Sequence, residues 1–120
     1  MLKVEFDLSG YYNFEGSSTE ASNEIEYLIE EYIPDLERIL DADLQKQGFI
    51  SDIEENHLLD EGDWLYVHFL IKGSYTIEEE LTEDTYWEQD NYIQSKIIEI
   101  ENVMGTVVND FDYVRNIVEI

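Results

Sequence analysis

Thirty Asp and Glu side chains face only six Lys and Arg in these 120 residues, a formal charge of −24, and no other feature limits the fold as much. Self-repulsion of this size works against any compact state and repels other anions, so it normally persists only where something uses it. A core has to offset it. The chain has the material for one: 43% of its residues are apolar, with fourteen Ile, nine Tyr, five Phe and two Trp. A disordered acidic tail would be poor in those residues. At this length one domain can bury a real core without metal or disulfide staples.

The chain contains no cysteine, which removes disulfides and thiolate chemistry and fits a reducing compartment. The N-terminus has no apolar export segment. The longest apolar run, Trp64 to Ile71, is strand length and far short of the ~20 residues a membrane span needs. These features predict a soluble, cytoplasmic domain with no membrane contact.

The charge excludes some functions and suggests others. Solubility alone is served by a net charge of about 2–8. Adaptation to high salt fits poorly with nineteen Glu against eleven Asp and only two Ala. Phosphate contacts need Lys and Arg, and Lys3, Arg38, Lys46, Lys72, Lys96 and Arg115 are too scattered to form a patch, so direct nucleic-acid binding is excluded by sign. A compact protein of this mass exposes about 6,800 Å², roughly 280 Å² per net charge. B-DNA carries about one charge per 110 Å² of its cylinder. Spread evenly, the protein's charge is too dilute to imitate a duplex; gathered on one face, it matches.

Along the chain, Leu2, Val4, Phe6 and Leu8 alternate with polar residues, the pattern of a half-buried strand. Gly10 to Gly16 reads as a break. Ser17-Ser18-Thr19-Glu20 is a capping box opening a helix whose apolar face includes Ala21, Ile25, Leu28, Ile29 and Tyr32. Pro34 predicts a kinked helix or two consecutive ones, with Leu36, Ile39, Leu40 and Leu44 continuing the face to Gln47 and Gly48 stopping it. Phe49, Ile50 and Ile53 predict a short strand, and Asp60-Glu61-Gly62-Asp63 a turn. Trp64 to Ile71, apolar on both faces, predicts a central strand. Lys72-Gly73-Ser74 reads as a hairpin loop, with Tyr75, Ile77, Glu79 and Leu81 on the returning strand. Ile93, Ile97, Ile100, Met104 and Val107 keep helical spacing, and 111–120 fits either state. The sum is a single α+β domain over residues 1–120: an antiparallel sheet of three to five strands with helices packed on one face.

Chemistry finds little support. Asp41-Ala42-Asp43-Leu44-Gln45 lacks the third ligand and the glycine of a calcium loop, so no specific metal is predicted. No cofactor motif, glycine-rich phosphate loop or nucleophile elbow appears. His57 lies in a polar turn region and His68 lies mid-strand, where a satisfied structural role outweighs a general base. The chain reads as non-enzymatic.

The densest acidic stretch is Glu78, Glu79, Glu80, Glu83, Asp84, Glu88 and Asp90, interleaved with Tyr86 and Trp87. It reads as a binding surface: carboxylates aimed at Arg and Lys, with rigid aromatic anchors. Its plainer reading is a solvated loop and helix start with Trp87 buried. Asp60, Glu61 and Asp63 join the candidate surface. Further acids cluster at Glu30-Glu31, Asp35-Glu37 and Asp41-Asp43. Small size, acidity and absence of catalytic apparatus look like the acidic inhibitors that phages and mobile elements carry against restriction enzymes, CRISPR effectors and repair glycosylases. That likeness lies in composition and size, and no motif carries residue roles over. The expectation is a DNA mimic that occupies the basic cleft of a nucleic-acid-binding protein, anti-CRISPR first and anti-restriction next. The alternative is an immunity protein or antitoxin neutralising a basic nuclease toxin. A homodimer stays open.

Overall fold

The opening alternation runs well past its first eight residues. In a computed structural model, which describes residues 1–55, 64–110 and 112–120, strand β1 spans Leu2–Glu15 and buries Leu2, Val4, Phe6, Leu8 and Gly10 on one side. Helix α1 (Ser18–Leu40) follows, then β2 (Asp43–Leu44), β3 (Ile50–Glu55), β4 (Trp64–Ile77), helices α2 (Thr85–Gln94) and α3 (Ile97–Met104), and β5 (Val114–Glu119). β1 and β4 pair antiparallel along their whole length, from Leu2 opposite Ile77 to Glu15 opposite Trp64. β5 flanks the first half of β1, and β2 and β3 share the far edge of β4, one behind the other. The five-stranded antiparallel sheet and three helices make the α+β domain that the patterning predicts.

Two of the predicted interruptions are uninterrupted strand. No break separates Gly10 from Glu15, and no hairpin forms at Lys72-Gly73-Ser74. Both glycines are places where a ring needs room. Phe6 faces Gly73 across the ladder and Phe69 faces Gly10, symmetrically about the Leu8–Ile71 pair. A Cβ on Gly73 would sit 2.5 Å from Phe6 Cζ and 2.5 Å from Leu44 Cδ2, and one on Gly10 2.7 Å from the Val107 carbonyl oxygen and 2.8 Å from Phe69 Cζ. Each glycine in mid-strand therefore admits a cross-strand ring, where a linear reading sees a turn. The supposed returning strand is the end of β4 followed by an irregular connection, residues 78–84.

α1 begins as predicted: the Ser17 hydroxyl accepts the Glu20 N–H at 3.2 Å. It does not split at Pro34. The proline is exposed, the only backbone bond it forgoes is that to the Glu30 carbonyl, and Ile29, Ile33 and Leu36 keep one buried stripe through it. The helix stops at Leu40, earlier than Gln47, because Asp41 turns left-handed (φ 51°) and its N–H caps the Glu37 carbonyl. The later helical spacing becomes two helices broken at Ser95-Lys96, with Ile93, Ile97, Ile100 and Met104 buried and Val107 exposed. The tail is strand β5. The turn predicted at Asp60-Glu61-Gly62-Asp63, and His57, lie outside the described residues.

α1 packs over β3 and β4 and against α3, while α2 lies beside β5. All the described helices cover one face of the sheet, so β4 buries Leu65, Val67, Phe69 and Ile71 on that face only. Trp64, Tyr66, His68 and Leu70 lie half-buried on the other. His68 meets Glu54 there. The two 14-residue strands set the shape: 54 × 25 × 22 Å, with a radius of gyration of 16.0 Å. A compact chain of this length would have about 13.6 Å.

Candidate functional site

The carboxylates divide by the work they do. Some hold the chain together. Glu26, on α1, accepts the N–H groups of Gly48 and Phe49 at 2.7 Å each and so clamps the approach to β3. Glu37 accepts the Leu44 N–H at 3.1 Å and Lys46 Nζ at 2.6 Å. The Lys46 ammonium, with the Leu44 amide second, holds its carboxyl below the usual range. Glu101 accepts the Val108 N–H at 2.8 Å, and Asp90 Oδ1 accepts those of Tyr113 at 2.6 Å and Val114 at 3.3 Å. Glu5 and Asp7 both bind Arg115 at 3.2 Å.

A second set faces solvent. α1 carries seven carboxylates and one cation, Arg38, which is bound by Asp35 at 3.0 Å. Its buried stripe points at the sheet, which turns Glu20, Glu24, Glu30 and Glu31 outward. From Glu20 to Asp35 the helix rises about 22 Å, and its exposed acids, Glu20, Glu24, Glu30, Glu31 and Asp35, average one per ~5 Å of axis. One strand of B-DNA carries one per ~3.4 Å. Past the helix end, Asp41 and Asp43 are exposed beside a groove of about 470 Å³ that they line together with Glu37, Tyr75, Thr76 and, from the sheet edge, Lys3. That groove leads from α1 to the end of β4, where the connection to α2 begins.

Glu78, Glu79, Glu80, Glu83 and Asp84 all lie on that connection and all are exposed. Thr82 and Thr85 pin it, the Thr82 N–H donating to Thr85 Oγ1 at 2.9 Å. Tyr86, Trp87 and Glu88 follow on the first turn of α2. Trp87 is 68% exposed, so the buried alternative does not apply to it. The Tyr86 hydroxyl accepts the Ile117 N–H at 3.1 Å, and with Asp90 it covers the outer edge of β5. Asp90 is thus tied to the fold, unlike its neighbours. Tyr86, Trp87, Asp90, Asp112 and Val114 enclose a cleft of about 250 Å³. Asp60, Glu61 and Asp63 fall outside the described residues.

The opposite face is electrically different. Glu5, Asp7, Glu15, Asp52 and Glu54 project from the open side of the sheet along with Lys3, Lys72 and Arg115, three of the chain's six cations. Tyr11 and Tyr66 stack edge-on there, 5.1 Å between ring centroids. The negative charge is therefore concentrated on the helix layer and its connections. The ridge on α1 includes Glu20 and Glu24, which the sequence reading left out of the candidate surface. Their four-residue spacing opposite the apolar stripe was the signal for them.

Among the described residues no three Asp, Glu or His side chains come together as a metal-binding group, and no helix is long and apolar enough to cross a membrane. No family model, curated protein or solved structure matches the chain.

Proposed function

We propose that this protein is a non-catalytic inhibitor that imitates DNA and occupies the basic cleft of a nucleic-acid-binding protein. The observation that carries the reading is the line of solvent-facing carboxylates, about 22 Å along α1 from Glu20 to Asp35 and extended by Asp41, Asp43 and residues 78–88, on a body whose open sheet face carries three of the six cations. A long axis of 54 Å corresponds to about 16 base pairs at ~3.4 Å each, and widths of 25 and 22 Å fit a channel made for a duplex. Carboxylates take the place of phosphates against Arg and Lys, and the summed field steers the encounter. The role most consistent with this is anti-defence, carried by a phage or mobile element and exercised in the bacterial cytoplasm. An anti-CRISPR protein acting on a Cas nuclease comes first and an anti-restriction protein second.

An immunity protein for a basic nuclease toxin is the competing reading, favoured by the compactness of the 78–88 patch. It needs that patch alone, so the two readings separate by mutation. Protein immobilised in a bacterial lysate is expected to retain a nucleic-acid-binding protein and release it to a short duplex DNA or to high salt. The quadruple variant E20Q/E24Q/E30Q/E31Q should lose about tenfold or more in affinity, as should neutralisation of Glu78, Glu79, Glu80, Glu83 and Asp84. Retention indifferent to duplex DNA would end the mimic reading. Loss on neutralising the 78–84 connection but not α1 would favour the immunity protein.

A further inference from the structure

We propose that the cleft between Tyr86 and Trp87 is a binding site for a single arginine side chain of the partner. The proposal rests on the cationic partner inferred above and names the contact that would hold it. Among the described residues ten large apolar side chains are exposed, and Trp87, the bulkiest of them, stands 68% exposed on the first turn of α2. A Trp left in water forgoes a large burial term, which a partner can recover by covering it.

The cleft beside it has chemistry for one kind of cover. Two aromatic rings and Val114 supply flat apolar surface, and Asp112 and Asp90 supply negative charge, around about 250 Å³. Asp112 accepts no hydrogen bond among the described residues and is exposed, so both its oxygens remain for a ligand. The walls are held in advance. The Ile117 N–H fixes the Tyr86 hydroxyl at 3.1 Å, and the Tyr113 N–H fixes Asp90 Oδ1 at 2.6 Å. A planar guanidinium stacks on such rings while forking two N–H groups onto a carboxylate. An ammonium is a compact, strongly hydrated charge that uses the rings less well, and an anion is repelled. The site therefore takes arginine ahead of lysine. Here a desolvated aromatic adds residence time to a complex whose other contacts mainly set the encounter rate.

The probe is N-acetyl-argininamide, titrated into ¹⁵N-labelled protein with the two Trp indole N–H resonances followed separately. The Trp87 signal should move saturably, with a dissociation constant on the order of millimolar, and Trp64 should stay still. The isosteric neutral N-acetyl-citrullinamide should leave Trp87 unmoved, N-acetyl-lysinamide should bind several-fold more weakly, and Asp112→Asn should weaken the arginine probe by about fivefold. A linear response, an equal response to the citrulline probe, or an unchanged affinity in Asp112→Asn would overturn the proposal, since general attraction of cations to an acidic protein would then explain the shifts. Failure here is separable from failure of the mimic reading. Capture of a duplex-displaceable protein alongside a silent Trp87 would remove the arginine site and leave the mimic standing, whereas a saturable Trp87 without such capture would do the reverse.

Discussion

A single methyl group tests how the centre of the sheet is built. Gly73→Ala puts a Cβ into the Phe6 ring and the Leu44 side chain, and Gly10→Ala meets the Val107 carbonyl as well as a ring. Each should lower unfolding free energy by about 1–3 kcal/mol in denaturant titrations. These two glycines are also where linear reading failed. The cross-strand partner that makes a glycine necessary lies far away in sequence, and only the pairing reveals it. The tyrosines carry a second local effect. Burial raises Tyr12 and Tyr75 well above the ordinary phenol value, lifts Tyr92, and pushes Tyr113 up to about 12. Their hydroxyls donate to Met104 O, Gln89 Oε1, Leu40 O and Gln94 Oε1. A folded value above the unfolded one means that stability is full below about pH 10 and falls as pH rises through the folded values. Tyrosinate absorbance should therefore show these phenols ionising together with loss of far-ultraviolet circular dichroism.

α1 shows how far patterning reaches. Its cap at Ser17, its buried stripe and its acidic outer side are all written in local spacing. Its passage through Pro34 is not, because the stripe on both sides packs on one sheet and overrides the proline's preference. Nor could spacing tell a clamping carboxylate from a free one. Glu26 and Glu30 look alike in sequence, but Glu26 grips Gly48 and Phe49 from 22 and 23 residues away. Glu26→Gln should cost about 1–3 kcal/mol of stability by leaving backbone donors poorly met. Glu30→Gln should change it by no more than about 0.5 kcal/mol, and lower affinity for the proposed partner instead. Chemical denaturation of the two variants in parallel distinguishes them. The same sorting divides the predicted surface. Glu78, Glu79, Glu80, Glu83 and Asp84 are exposed, while Asp90 is held by β5, a strand whose identity the sequence left undecided.

For the molecule as a whole, folding gathers a net charge of −24 onto a body 54 Å long, with most of the described carboxylates on the helix layer and its connections. Salt and divalent cations should relieve that crowding. Raising ionic strength from roughly 20 to 300 mM, or adding millimolar Mg²⁺, should lift the melting temperature by several degrees. A flat response would mean that the acids lie too far apart to feel one another. The two strands at the centre have a bearing on time as well as on shape. β1 and β4 come from distant parts of the chain, no partnered pair being nearer in sequence than Glu15 and Trp64. β3 and β4 can pair locally, with Glu55 opposite Leu65, but β1 cannot join β4 as a local hairpin; a long loop, swollen by its own repulsion, has to close first. Refolding should thus be slow for so small a protein and should quicken as salt is added, with unfolding rates nearly unchanged, in stopped-flow chevrons. A cell that makes this chain supplies, through its own magnesium and polyamines, the counterions that shorten the wait.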